Sequence, residues 1–403
     1  MSKLPFEGIK VADFCWVWTG PTTTKVLADF GATVVKIESH KRLDVWRMQP
    51  PFKDDQVGPD RGAVFNSINT GKMSVSIDLS QPKGIELAKK LVAWADVVTD
   101  NYAGGAMERM GLGYDVLKQI KPDIIMMSSA LMGQTGPWHD SPGYGDQLSA
   151  ISGLHEISGW PDRPPGEIGF YTDFIAPRFN ALTLIAALDY RRRTGKGQYL
   201  DIAQHQGGVQ YVAPLLLDYM VNGRVATRQG NRDPHAAPHG SYQCQGDDRW
   251  CAIAVFTDEE WQSLCQVMGN PAWTQDPKFA TLEKRQENEE ELDRLLNEWT
   301  INQDDMALMQ TLQKAGVPAG RVGTTQDQMD NDPQLLAREF YQTREHPELG
   351  TYRPPRQPCL LSKTPCQVKR APLIGEHNEE VLKGFLGLSD EEIEMLIVEE
   401  VIQ

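Results

Sequence analysis

The sequence holds little cysteine: six thiols in 403 residues, at positions 15, 244, 251, 265, 359 and 366, with no Cys-x-x-Cys pair among them. That spread excludes a disulfide scaffold and predicts a reduced, cytoplasmic protein. No apolar run approaches the length of a membrane span, and the opening MSKLPFEGIK has no secretory apolar stretch. Basic residues are outnumbered, 40 against 55 acidic ones, for a net charge of −15. A nucleic-acid or anionic-membrane surface is thereby excluded, but a single local basic pocket is not. Several catalytic motifs are missing too: there is no Gly-x-Gly-x-x-Gly, no Walker loop and no Gly-x-Ser-x-Gly elbow. His235 and His239 have His-x-x-x-His spacing, but Pro234 and Pro238 oppose a helical face and no Glu lies between them, so no metal site is expected.

What is present is 40% hydrophobic and 24% charged residues, enough for real cores, in a chain of two-domain length. Strand and helix patterns alternate through the first 130 residues. Strands are predicted at 9–14, 33–37, 74–79, 96–99 and 123–128, with helices after Gly20-Pro21, over 82–95 and within 107–120. Such alternation predicts an α/β, doubly wound, Rossmann-like large domain whose ligands bind beyond the carboxyl ends of the strands. Residues 133–169 are rich in Gly, Pro and Ser and read as loops around a short helix at 147–151. A long helix is expected over 174–193 and another over 203–219. After Asn222 come a strand at 250–255 and a mostly helical stretch over 258–314, with Leu292, Leu295, Leu296 and Trp299 on one face, which predicts a smaller α+β domain. The expected division is a large domain over 1–202 and 346–403, a linker helix over 203–224, a small domain over 225–325 and a second linker over 326–345.

Asp173 stands out because it directly precedes the long, apolar helix. Two readings are open. As an N-cap it satisfies free N–H groups and contributes about 1 kcal/mol. As a carboxylate held ionised by the helix dipole in a dry cleft, it is a nucleophile towards an activated carbonyl. Glu38, at the end of the second strand, sits where a ribose-binding acid of a dinucleotide enzyme would lie, but Trp16 and Trp18 obstruct the pyrophosphate position.

An ordered set of short segments covers nearly the whole chain. It comprises 5–11, Gly20-Pro21, Leu27 to Glu38, Asn69-Thr70-Gly71-Lys72, Ala95-Asp96-Val97-Val98, Asn101 to Gly111, Gly133 to Pro137, Arg193 to Gln198, Gly316 to Val322 and Gly375-Glu376-His377. Together they resemble the class III CoA-transferases, the formyl-CoA and carnitine CoA-transferase family. The resemblance implies two subunits interlocked like links of a chain, as a homodimer or as a heteromer with a related subunit. It implies no tightly bound cofactor, with coenzyme A as part of the acyl-CoA substrate. It also implies that Asp173 is the nucleophile, passing through an aspartyl-CoA thioester. Pro177 stands where the family usually has glycine.

The same resemblance implies that Lys72, Asn101 and Arg109 bind CoA. The family's arginine after the second strand is Ser39 here, with Arg42, Arg47 and Lys41 close enough to substitute. Trp18 replaces a glutamine of the formyl-type enzymes, and Ala130 and Met132 stand near a lysine and a tyrosine of theirs. Trp16, Trp18, Met132 and Tyr144 are therefore expected to form a large apolar pocket, unless the aromatics are core residues. The expected reaction is transfer of CoA from a donor such as succinyl-CoA to a larger acid, aromatic or a substituted dicarboxylate such as a benzylsuccinate-like compound. The alternatives are an intramolecular transferase or acyl-CoA isomerase or racemase, hinted at by His155-Glu156, and a non-catalytic subunit of a heteromer.

Overall fold

A computed structural model describes residues 4–403. Two units separate, one of 4–155, 167–225 and 334–403, the other of 156–166 and 226–333. The larger unit is built on six strands: β1 (Lys10–Asp13), β2 (Thr33–Glu38), β3 (Met73–Ser76), β4 (Val97–Asp100), β5 (Ile125–Ala130) and β6 (Tyr199–Ala203). They pair in the order β3-β2-β1-β4-β5-β6, and every pairing is parallel. The larger unit's helices before residue 226 are α1 (Thr19–Asp29), α2 (Ala63–Ile68), α3 (Pro82–Trp94), α4 (Ala106–Arg109), α5 (Tyr114–Ile120), α6 (Gly145–Ile151), α7 (Tyr171–Thr194), α8 (Gln204–Tyr211) and α9 (Ala213–Asn222).

Alternate strand residues bury against opposite layers, which is why both faces of the sheet are apolar. Val11, Val34, Val97, Ile125 and Met127 pack with Leu27 of α1 and Leu184 of α7. Ala12, Val35, Val98 and Met126 pack instead with Leu87 and Leu91 of α3 and Leu117 of α5. Strand order reverses between β1 and β4, so a crevice opens at their carboxyl ends.

The second unit holds an antiparallel sheet of β7 (His239–Gln243), β8 (Trp250–Ala254) and β9 (Ala319–Arg321), covered by α10 (Asp258–Val267), α11 (Leu282–Glu287), α12 (Glu289–Thr300) and α13 (Asp305–Lys314). Leu292 and Leu296 of α12 are buried with Trp261 and Phe279, and Leu295 and Trp299 pack at the edge of that core.

Three sequence expectations need correction. Strand β6 occupies 199–203, between the two expected helices where no strand is predicted, because the alternation there is short and half-exposed. The single helix expected over 203–219 is two, α8 and α9, broken at Val212 before Pro214, whose ring and missing N–H oppose continuation. The long helix begins at Tyr171, so its N-cap is Phe170 and Asp173 is the third helical residue. Pro177 is the seventh residue of α7, not a first-turn proline, and it lacks the N–H that would bond the Asp173 carbonyl four residues earlier.

No helix among the described residues is long and apolar enough to cross a membrane.

Candidate active site

The turn between β1 and α1, Cys15 to Trp18, organises the site. Val17 takes a left-handed φ of 62°, unusual for a β-branched residue. Across this kink the two tryptophans part ways. Trp16 meets Tyr102 edge-on at 6.2 Å, and the Arg42 guanidinium lies 5.0 Å from its ring centre. Trp18 meets Phe174 at 5.0 Å, Phe170 at 5.6 Å and Trp46 at 6.0 Å.

Trp16 and Val17 form one wall of a cavity of about 710 Å³ beyond the carboxyl ends of β1 to β4. Its other walls come from Ser39 to Arg42 after β2, Ile77 to Ser80 after β3, and Asn101, Tyr102, Arg109 and Met110 after β4. Three cations border it. Lys41 is shared between Asp78 and Glu400, each at 3.2 Å. Among the described residues, Arg42 meets the Trp16 face and Arg109 the Gly104 carbonyl at 3.3 Å, with no carboxylate partner for either. Such a pocket suits a polyanionic ligand with a flat aromatic part.

On the far side of the turn, Thr19 Oγ1 donates to Asp173 Oδ1 at 2.5 Å, and Gln204 Oε1 lies 3.3 Å from the same hydroxyl. Thr19 and Gln204 are buried, and Asp173 is half-buried. Gly145, at the start of α6, leaves just enough room for the carboxylate. A Cβ there would lie 1.9 Å from Asp173 Oδ2 and 2.8 Å from Phe170 Cβ. Burial pushes the Asp173 carboxyl above its ordinary range, partly opposed by the Thr19 hydroxyl. That corrects the expectation of an Asp held ionised as an N-cap, since its side chain turns to Thr19 instead of capping the helix. A carboxylate drawn out of water and held by one oxygen is a competent nucleophile.

A family model for CoA-transferase family III matches residues 6–378. The chain belongs to that family. Succinyl-CoA–D-citramalate CoA-transferase of Chloroflexus aurantiacus is 34% identical over 99% of this chain and 98% of its own length. Succinyl-CoA:mesaconate CoA-transferase of Haloarcula hispanica is 34% identical over 93% of this chain and 95% of its own. Among solved structures, a CAIB/BAIF family protein from Brucella suis superposes with a TM-score of 0.87 at 31% identity, covering 95% of this chain and all of its own. This chain is accordingly a CoA-transferase, an enzyme with an acyl-CoA substrate.

Within this CoA-transferase the predicted site residues fall into two groups. Asp173, bound to Thr19, and Trp18, packed on Phe170 and Phe174, lie on one side of the turn, and Trp16, Asn101, Arg42 and Arg109 line the cavity on the other. The two cations Lys72 and Arg47 do not reach a ligand position. Lys72 Nζ is fully buried and bonds Asp13 at 3.0 Å, the Pro21 carbonyl at 3.0 Å and Asn69 at 2.9 Å. Arg47, also fully buried, grips Glu38 through two bonds of 2.8 and 2.6 Å, bonds Asp60 at 2.5 Å and covers the Phe65 ring at 3.6 Å. Removing either partner would strand a buried charge, so both lysine and arginine are structural. Glu38 is likewise spent on Arg47 and Ser74, not on a ribose.

The four residues expected to form one apolar pocket do not form one. Met132 is half-buried after β5, outside the cavity lining, and Tyr144 is 65% exposed at the N-cap of α6. None of the four is a core residue. The His155-Glu156 pair does not form: His155 faces Asp146 at 3.7 Å, and Glu156 pairs with Arg228 at 2.9 Å.

Sequence reasoning missed Thr19, Gln204, Gly145 and the Ile77 to Ser80 wall. The wall was findable, because residues just past a parallel strand's carboxyl end line the crevice. Nothing local marks Gly145 or Gln204.

Proposed function

We propose that the enzyme moves CoA from succinyl-CoA to a substituted four-carbon dicarboxylate, through an aspartyl-CoA thioester on Asp173. The observation that carries this reading is the single turn joining two sites: Trp16 and Val17 wall the basic cavity, and Thr19, two residues on, binds the Asp173 carboxylate. CoA phosphates would meet Arg42 and Arg109, with the adenine near Trp16 and Tyr102. The acyl end would then extend past the turn towards Asp173.

The chemistry needs only this carboxylate. Asp173 attacks the donor thioester carbonyl; the C–S bond breaks, and an acyl-aspartyl anhydride and CoA thiolate form. The thiolate attacks the aspartyl carbonyl, the anhydride C–O bond breaks, and the donor acid leaves. The acceptor carboxylate attacks the resulting thioester, expelling thiolate and forming a new anhydride. Thiolate attack on its acyl carbonyl yields the new acyl-CoA and frees Asp173. No proton or electron is gained or lost overall. Water must be excluded while the anhydride exists, and Trp18 packs edge-on against Phe170 and Phe174, the apolar residues that flank Asp173 along the chain.

Citramalate and mesaconate, in the relatives' names, are methyl-bearing diacids, which supports a branched or ring-bearing acceptor here, its substituent against the Trp18 group. An interlocked dimer remains part of this proposal: α9 has no buried residue and exposes Leu217, Met220 and Val221, a face suited to a second chain. Succinyl-CoA offered with a panel of acids tests the substrate reading. Transfer to substituted dicarboxylates is expected, and transfer to formate or oxalate alone contradicts it.

A further inference from the structure

Asn101, just past β4, spends its whole amide on one residue of the turn. Its Oδ1 accepts the Trp16 N–H at 2.8 Å and its Nδ2 donates to the Trp16 carbonyl at 2.8 Å. A side chain here makes the pairing that a neighbouring strand would make. Other buried groups hold the flanking residues: Asp13 accepts the Cys15 N–H at 3.1 Å, Lys36 donates to the Cys15 carbonyl at 2.5 Å, and Asp44 accepts the Val17 N–H at 3.3 Å. These bonds hold Val17 at a φ its β-branch disfavours, so a released turn would relax towards negative φ. Relaxation would swing Thr19, two residues on, away from Asp173.

We propose that Asn101 is a positioning residue: by clamping Trp16 it holds the turn in the path that delivers the Thr19 hydroxyl to the Asp173 carboxylate. The inference rests on Asp173 as nucleophile and departs from Asn101 as a direct CoA ligand.

The bond from Thr19 favours ionised Asp173, so its loss moves the acid limb of the pH–rate profile to higher pH. On the helices packed against α7, the titratable side chains have partners of their own: Lys25 with Asp29 on α1, Asp146 of α6 with His155, and His205 of α8 with Ser152. Arg178, on α7 itself, is exposed.

The test is steady-state transfer kinetics with succinyl-CoA for wild type, Asn101→Ala, Thr19→Val and the double variant, from pH 5 to 9. Asn101→Ala should lower kcat by about tenfold with KM for succinyl-CoA within about twofold. Its acid limb should shift in the same direction as that of Thr19→Val, and the double variant should shift no further. Asn101→Asp keeps the acceptor and loses the donor, so it should fall between wild type and Asn101→Ala; if Asn101→Ala does not fold, it is read by the same criteria. A raised KM with kcat and acid limb unchanged, or shifts that add in the double variant, would overturn the proposal. Asp173→Ala is the control that separates the two claims. Full activity there removes the nucleophile reading itself, whereas an inactive Asp173→Ala with additive shifts removes only the role of Asn101.

Discussion

A carboxylate is a poor nucleophile in water, and two neighbours set the surroundings of Asp173, the proposed nucleophile. Thr19 holds one oxygen, and Gly145 lies against the other with no side chain. Gly145 has no left-handed φ to protect, so alanine adds no backbone strain of its own, but its methyl would meet both the Asp173 carboxylate and the Phe170 Cβ. Gly145→Ala should displace the Asp173 side chain and lower transfer activity by about 100-fold, with a drop in melting temperature from the Phe170 contact. An active Gly145→Ala would show that Asp173 is not used in this conformation. Among the described residues Arg42 and Arg109 are the cavity cations without a carboxylate partner, so alanine at either should raise KM for acyl-CoA by about tenfold and leave kcat nearly constant. Unchanged KM values in both variants would move the CoA phosphates elsewhere.

At the scale of elements, the carboxyl end of β4 carries an acid without a counter-charge. Burial pushes Asp100 up to about 7, opposed only in part by bonds from Ser128 at 2.5 Å and the Tyr102 N–H at 3.2 Å. The folded state therefore keeps a proton that the unfolded state has released, and stability falls as pH rises from about 4 through 7. The full cost above that window is about 4 kcal/mol, roughly three pKa units. Asp100→Asn removes the charge, so chemical denaturation at pH 5 and pH 8 should show a much flatter pH dependence than wild type; parallel curves would contradict the shift. The central strands are legible in the sequence because apolar alternation over both faces of a parallel sheet leaves near-continuous Val and Ile runs. Strand β6 is not, as its five residues are mostly half-exposed. The start of α7 is misread by three residues because Phe170, with no capping side chain, is its true N-cap.

For the whole molecule, a bulk charge of −15 coexists with a basic cavity because Lys41, Arg42 and Arg109 are gathered at its walls. Lys36, Lys72 and Arg47 are bound to Asp44, Asp13 and Glu38 beneath the cavity floor, leaving few to face a ligand. This is also where sequence reading of the site stops short. Asp173, Arg42, Arg109, Trp16 and Asn101 can be picked from segments of the chain, but which lysines and arginines are buried depends on partners 8 to 59 positions away. The Thr19–Asp173 bond spans 154 positions and leaves no local mark. The covalent intermediate on Asp173 can be trapped directly. The enzyme should be incubated with succinyl-CoA, trapped with hydroxylamine or borohydride, and digested for mass spectrometry. Modification confined to Asp173 is expected, with no transfer by Asp173→Ala. An unmodified Asp173, together with full activity in Asp173→Ala, would contradict that intermediate.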